Sequence, residues 1–250
     1  MPVDGVGIMV VMSTFLAITS NPEPHSLTGA TAAAFLRGAG QAGADTQLLD
    51  LYGIGFDPVY RSCDRDHYLG RGPMPDDVRA IQSRLEGADV LALVFPVYWY
   101  TMPAMMKGLF DRVICRGFAY GEEGAPGALA GKTVRVIMLT GSSRGWYESD
   151  GVGQALQNQI CRQTFTKYCG VTDVEIVYVD NLSMGDDAPG RRAAADSQLR
   201  TIEGMGPRLA KRASPSARFA PGSAGLPVTM TCSGVRTRRP SPGPAAHARR

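Results

Sequence analysis

The sequence lacks the features of several common protein classes. Its five cysteines form no CxxC pair, and an odd number in 250 residues does not suggest a disulfide framework or a metal cluster. No run reaches the roughly 18 apolar residues that a membrane-spanning helix needs. The apolar segment 6–18 has no Lys or Arg before it, which argues against an export signal. We therefore expect a cytoplasmic protein without a metal.

The net positive charge of the chain belongs to its last 38 residues. Six arginines and no acidic residue lie in residues 213–250, so the formal charge of +3 becomes −3 for residues 1–212. An acidic body disfavours nucleic-acid binding. Residues 213–250 are also rich in proline and serine, which predicts a disordered tail. Residues 1–11 are interpreted as an N-terminal extension, which leaves one domain over residues 12–212.

Within that domain, short apolar runs alternate with helical patterns. This alternation predicts an α/β fold, with a five-stranded parallel, doubly wound sheet between two layers of helices. The predicted strands are 14–19, 46–51, 89–95, 133–139 and 174–179, and the predicted helices are 26–41, 75–87, one from 103, 153–168 and 193–211. Ligands of such sheets bind beyond the carboxyl ends of the strands.

The loop after the first strand, residues 20–28, has no GxGxxG motif and no Walker lysine. It does place the hydroxyls of Ser26 and Thr28 at the start of a helix, where free N–H groups favour an anion. This arrangement suits a phosphate. Ser26 is equally suited to be a simple N-cap, and the two interpretations remain open.

Two further loops carry chemistry. Three consecutive aromatic residues, 98–100, follow the apolar third strand and can form a wall for a flat ring, although packing or a subunit interface would use them as well. After the fourth strand, small residues at 140–143 let backbone amides approach a ligand. Tyr147 follows, with a hydroxyl that can donate to developing negative charge. All three loops converge on one edge of the sheet.

These residues closely resemble the flavodoxin-fold NAD(P)H:quinone oxidoreductases. The most specific match is FPVYWYTMPAMMKGLFDRV at 95–113, followed by GFAY at 117–120. NPEPHSL at 21–27 and YCG at 168–170 match in the same order. The resemblance covers roughly residues 12–210. It implies a flavodoxin-like three-layer αβα sandwich and a homodimer with one flavin per crevice at the subunit interface.

The resemblance also implies roles for individual residues. Those around the flavin phosphate would be Asn21, Ser26, Leu27 and Thr28, and those along the isoalloxazine would be Pro96, Val97, Tyr98, Trp99 and Tyr100. The pyrimidine side would be approached by Thr140, Gly141 and Ser142. Tyr147 would be the catalytic residue, supporting charge on the reduced flavin. The substrate pocket would be framed by Trp99, Tyr100, Trp146 and a Tyr120 from the other subunit.

Two positions depart from the family pattern. Asn21 stands where many members have histidine, and Gly153 stands where the best-known members pair a histidine with the tyrosine. Without that imidazole, proton transfer must rely on Tyr147 or water. His25 is interpreted as a solvated loop residue, and the cysteines as buried thiols rather than nucleophiles.

The implied function is ping-pong transfer of hydride from NAD(P)H, through a bound flavin, to a quinone or similar flat acceptor. FAD is the first expectation and FMN the second, because the closest resemblance is to the FAD-binding branch of the family. Members of that branch have a C-terminal helix after strand five. Two alternatives are a flavin-binding regulatory subunit of a potassium-efflux system and an FMN reductase that supplies a monooxygenase.

Overall fold

The computed structural model describes residues 12–121, 125–182 and 188–212. The predicted extension at 1–11 and the predicted tail at 213–250 lie outside these residues. Five strands form one sheet: β1 (Thr14–Thr19), β2 (Asp45–Asp50), β3 (Val90–Pro96), β4 (Thr133–Leu139) and β5 (Asp173–Val179). All neighbours are parallel, in the order β2-β1-β3-β4-β5. The predicted doubly wound sheet is confirmed.

Strand sequence explains strand position. The central strands β1 and β3 are apolar and buried almost throughout, as strands covered on both faces must be. The edge strand β2 begins with exposed polar residues and is buried only near its end. The apolar strands β1 and β3 therefore lie in the middle of the sheet, and the more polar β2 lies at its edge.

The described residues contain eight α-helices. They are α1 (Leu27–Gln41), α2 (Ser62–Tyr68), α3 (Asp76–Glu86), α4 (Ala104–Arg112), α5 (Arg144–Ser149), α6 (Val152–Leu156), α7 (Ala188–Glu203) and α8 (Met205–Ala210). One face of the sheet carries α3, α4 and α6, and the other carries α1, α7 and α8. The result is the predicted three-layer sandwich.

Several predicted boundaries need correction. The helix predicted over 153–168 begins as α6 and continues as a π-helix over Gln157–Tyr168. Its buried residues Ile160 and Phe165 are five positions apart, which suits the i→i+5 turn of that helix. The helix predicted over 193–211 begins earlier and is interrupted at Gly204, between α7 and α8. The short helices α2 and α5 were not predicted.

The described part of the chain contains no helix of the length and apolarity that would cross a membrane.

Candidate functional site

The carboxyl edge of the sheet is open between β1 and β3, where the order of strands reverses. Ser20 follows β1 at this point, and its N–H donates to the Val94 carbonyl of β3 at 3.3 Å. Its hydroxyl is buried and has no hydrogen-bond partner among the described residues. A buried unpartnered hydroxyl is uncommon in folded proteins, and here it lies where an anionic group would meet the first turn of α1.

The first turn of α1 is arranged by its own side chains. The Ser26 hydroxyl accepts from the N–H of Gly29 at 3.3 Å, so Ser26 is an N-cap. The Asn21 side-chain amide donates to the hydroxyl of Thr28 at 3.0 Å, and its oxygen accepts from the N–H of Glu23. Within the described residues, the N–H groups of Leu27 and Thr28 take part in no hydrogen bond. These two donors remain available to a phosphate.

The aromatic loop after β3 is a tight two-residue turn. Tyr98 and Thr101 exchange two backbone hydrogen bonds of 3.0 and 3.1 Å, which closes the turn. Between them, Trp99 and Tyr100 have backbone φ angles of 48° and 62°, in the left-handed region that residues other than glycine rarely adopt. Such positions cost on the order of 1–3 kcal/mol each and concentrate at functional sites. The strained turn leaves the Trp99 side chain 93% exposed.

A series of touching rings runs from this turn to the edge strand β5. Tyr100 stacks on Trp146 with 5.7 Å between ring centroids. Trp146 meets Tyr147 edge to face at 5.2 Å, and Tyr147 meets Tyr178 of β5 at 5.6 Å. We call Tyr100, Trp146, Tyr147 and Tyr178 the ring series. It joins the loop after β3 to the loop after β4.

Helix α5 positions the middle of the ring series. Ser143 caps this helix, because its hydroxyl accepts from the N–H of Trp146 at 3.2 Å. The N–H of Arg144 is held by the carboxylate of Asp180 at 2.7 Å. The preceding Thr140 is buried, and its hydroxyl donates to the Ser142 carbonyl at 2.9 Å. Gly141 and Ser142 are exposed at the same edge.

Tyr147 is the buried member of the ring series. Burial, and to a smaller extent the nearby Tyr100, raises the pKa of its hydroxyl. The phenol therefore stays protonated through neutral pH, and no hydrogen bond within the described residues occupies its hydroxyl. A neutral, partner-free donor in a poorly solvated position can support negative charge that develops on a ligand.

Two of the other predicted residues lie at this edge, and Tyr120 does not. Pro96 ends β3 and Val97 follows it at the same edge, both half-buried. Tyr120 makes its ring contact with Tyr168 at 5.7 Å and lines a different cleft, with Tyr68 and Cys115. The structure therefore does not bring Tyr120 next to Trp146 within one chain. His25 is exposed, as expected for a loop histidine.

The prediction of buried cysteines holds in part. Cys161 and Cys169 are buried, and burial raises the pKa of each thiol to about 11. Cys63 and Cys115 are only half-buried, which corrects the prediction for them, and Cys232 lies outside the described residues. Among the part of the chain that the structure describes, no group of His, Cys, Asp or Glu side chains could hold a metal ion.

Sequence reasoning did not find Ser20 or Tyr178. In the sequence, Ser20 is indistinguishable from other small loop residues. Only the structure shows that its hydroxyl is buried without a hydrogen-bond partner among the described residues. Tyr178 sits in an apolar strand pattern, and its contact with Tyr147 depends on the packing of β5 beside α5. The one available signal was Gly153, because a glycine at that point leaves room for a neighbour.

This fold and this edge define a class: an open, doubly wound α/β protein with unpaired hydrogen-bond donors at the start of α1 and an aromatic loop at its topological switch point. The chain belongs to the family of the flavodoxin-like fold, whose profile matches residues 13–202. In that fold, FMN binds at the point between β1 and β3.

Two curated relatives and one solved structure show how similar this chain is to individual proteins. Over 212 residues the chain is 26% identical to the human ribosyldihydronicotinamide dehydrogenase (quinone), covering 75% of this chain and 90% of that protein. It is 35% identical over 119 residues to the FMN-dependent NADH:quinone oxidoreductase of Polaromonas naphthalenivorans, covering 46% of this chain and 54% of that protein. The NAD(P)H:quinone oxidoreductase structure from Methanothermobacter marburgensis superposes with a TM-score of 0.70 at 24% identity, covering 79% of this chain and 96% of that one.

Proposed function

We propose that this protein is a flavin-dependent NAD(P)H dehydrogenase that reduces a quinone or a similar flat aromatic acceptor. The observation that carries the proposal is the buried, protonated Tyr147 within a series of rings at the carboxyl edge of the sheet. The names of the relatives support the same chemistry. A bound flavin would accept a hydride from NAD(P)H and return two electrons to the acceptor.

The residues present fit a flavin. The hydroxyl of Ser20 and the free N–H groups of Leu27 and Thr28 suit its phosphate. The other proposed phosphate residues, Asn21 and Ser26, shape this turn through their hydrogen bonds. The flat ring would lie along Pro96, Val97, Tyr98, Trp99 and Tyr100, with Thr140, Gly141 and Ser142 beside it.

Each residue has a task in the proposed reaction. Tyr147 donates a hydrogen bond where negative charge develops, at a position that water reaches poorly. Trp99 and Trp146 would hold the nicotinamide or the quinone flat, which aligns the reacting atoms. One shared pocket requires the first product to leave before the acceptor enters. The kinetics would then be ping-pong.

A homodimer is part of the proposal. Tyr120 is predicted to complete the substrate pocket, yet within one chain it packs on Tyr168 in another cleft. If the Tyr120 of a second subunit completes the pocket, the prediction agrees with the observed position of Tyr120 in one chain. Light scattering should then give a mass of about twice 26.7 kDa. A monomer with full activity would contradict this part of the proposal.

The flavin itself is proposed to be FAD, because the sequence resembles most closely the FAD-binding branch of the family, whose members have a C-terminal helix after strand five. The Polaromonas relative is named for FMN, so the point needs a direct measurement. Extraction of the purified protein with acid, followed by chromatography against both standards, identifies the flavin. FAD would support the prediction, and FMN would overturn it without affecting the class of reaction.

Steady-state kinetics tests the function. With NADPH and a benzoquinone both varied, the proposal predicts parallel lines in double-reciprocal plots. Intersecting lines would contradict the shared pocket. Absence of quinone reduction by flavin-loaded protein would favour the regulatory subunit, and flavin lost at each purification step would favour the FMN reductase. Deleting residues 213–250 should leave the activity unchanged if they form the predicted tail.

A further inference from the structure

Tyr178 is the one ring of the series that no sequence pattern assigned. It lies near the carboxyl end of the edge strand β5, opposite Met138 of β4. Alternation along the strand turns Val174, Ile176 and Tyr178 to the face of the sheet that carries α6. This places the Tyr178 ring directly against Tyr147, with 5.6 Å between centroids and 52° between planes.

Gly153 makes this contact possible. A Cβ atom at this position would lie 2.9 Å from the Tyr147 carbonyl oxygen and 3.3 Å from the Tyr178 hydroxyl. Real Cβ atoms do not approach backbone oxygen that closely, so any larger residue would shift α5 or push Tyr178 aside. The phenol of Tyr178 thus extends to where a side chain of residue 153 would begin.

Polar neighbours hold Tyr178 from the outer side. The Arg144 guanidinium lies over its ring at 6.0 Å, and Glu148 pairs with Arg144 at 2.6 Å. Burial and the charge of Glu148 raise the pKa of the Tyr178 hydroxyl, while Arg144 opposes them. Tyr178 therefore remains a neutral ring, fixed between a cation on one side and Tyr147 on the other.

We propose that Tyr178 is the positioning residue for Tyr147: its ring, admitted by Gly153, fixes the buried phenol against Trp146 at the site. The proposal rests on the proposed function, because Tyr147 is the donor there. A catalytic group displaced by about 1 Å can lose up to about a hundredfold in rate, so a positioning ring has a measurable effect.

The test compares Tyr178→Phe, which keeps the ring, with Tyr178→Met, which fills the space without one. Rapid mixing with NADPH gives the limiting rate of flavin reduction and the NADPH Kd separately. We expect Tyr178→Met to lower the limiting rate about tenfold and to leave the Kd values of flavin and NADPH within about threefold. Tyr178→Phe should restore the rate to within about threefold of the original. Equal loss in both variants, or no loss in Tyr178→Met, would overturn the proposal.

A double-mutant cycle shows whether Tyr178 acts through Tyr147. In a Tyr147→Phe background, Tyr178→Met should lower the rate by no more than about twofold, because the group it positions is gone. A further tenfold loss would show independent action and contradict the proposal. Tyr52→Met serves as the control, since Tyr52 is exposed in the loop after β2.

A flavin-free measurement separates this proposal from the proposed function. The tryptophan band in the near-ultraviolet circular dichroism of the apoprotein reports how rigidly Trp146 is packed, and neither substitution at residue 178 removes a tryptophan. Tyr178→Met should weaken that band, and Tyr178→Phe should preserve it. Unchanged spectra in Tyr178→Met would overturn the positioning role. Failure of the original protein to bind or reduce flavin would instead contradict the proposed function.

Discussion

At the scale of single residues, the site combines strain with burial. Trp99 and Tyr100 occupy left-handed backbone conformations, and the rest of the turn and the stacking on Trp146 hold them there. The Tyr147 side chain is buried among neighbouring rings. The strained backbone costs folding free energy, whereas the packed rings stabilise the fold, and together they favour a preorganised site for a flat ligand.

Tyr147 carries the first prediction. Tyr147→Phe removes only the hydroxyl, so we expect flavin to bind within about threefold of the original affinity while its reduction slows about tenfold to a hundredfold. Because the pKa of Tyr147 is raised, the original rate should not decline between about pH 6 and 9 through loss of this proton. Rapid-mixing kinetics at several pH values checks both points, and an unimpaired Tyr147→Phe variant would show that the hydroxyl is not used.

Residue type and spacing sufficed to single out Tyr147 and the aromatic loop, because strand ends carry ligands in this architecture. They could not single out Ser20 or Tyr178. The importance of Ser20 comes from an unpartnered hydroxyl, and that of Tyr178 from a contact between β5 and α5. Both depend on distances between segments far apart in the chain.

At the scale of elements, the close packing of two helices requires a glycine at their contact. Helix α1 packs so tightly on the α7–α8 junction that a Cβ at Gly38 would lie 1.9 Å from the Glu203 carbonyl oxygen. Glycine is required there by space, at a helical backbone angle that any residue could adopt. The C-terminal helices are therefore packed against α1 as well as against the sheet.

This contact gives a matched pair of variants. Gly38→Ala should lower the free energy of unfolding by about 1–3 kcal/mol, because the two helices must move apart. Gly40→Ala in the same helix is the control, since its nearest neighbour would be a Thr46 methyl at 3.8 Å. That variant should be neutral or more stable by about 0.5 kcal/mol. Urea unfolding of both measures the difference, and equal effects would refute the packing argument.

A buried ion network ties α2, α3 and α4 together. The Arg112 guanidinium bonds to Asp64 at 3.1 Å and to Asp77 at 2.7 Å, and the Arg112 and Asp64 side chains are 4% and 3% exposed. Asp64→Ala leaves the buried Arg112 guanidinium with Asp77 as its remaining carboxylate partner, and the Asp77 side chain is 49% exposed, so we expect a cost of about 1–3 kcal/mol in unfolding free energy.

The control for this prediction is Asp111→Ala. Asp111 pairs with Lys107 on the exposed side of α4, one turn apart, where solvent screens the charges. Its loss should cost at most about 0.5 kcal/mol. A cost for Asp64→Ala as small as that for Asp111→Ala would show that the network does not hold the elements together.

Regular elements were the most predictable from sequence. Both ends of β1 and β4 agree, since apolar runs bounded by polar residues define a buried strand. Helices α2 and α5 were missed because each has only six or seven residues and no apolar stripe. The break at Gly204 depends on how α8 packs against α1, which periodicity does not report.

At the scale of the whole molecule, burial of thiols links stability to pH. Cys161 and Cys169 keep their protons up to a pKa of about 11, whereas an exposed thiol ionises near 9. The unfolded chain therefore releases these protons first, and stability should fall as pH rises from about 9 to 11, by at most about 1.4 kcal/mol per pH unit for each thiol. Unfolding midpoints across this range should decline less steeply in a Cys161→Ala, Cys169→Ala double variant, and an identical slope would contradict this assignment.

The crevice is proposed to hold a flavin that NAD(P)H reduces and a quinone reoxidises. The most direct test is the absorbance spectrum of the purified protein under anaerobic conditions, first with NADPH and then with a benzoquinone. We predict that the flavin band at about 450 nm bleaches with NADPH and returns fully with the quinone, and that no radical spectrum appears between these two states. A protein that binds neither FAD nor FMN, or whose bound flavin NAD(P)H cannot reduce, would contradict it.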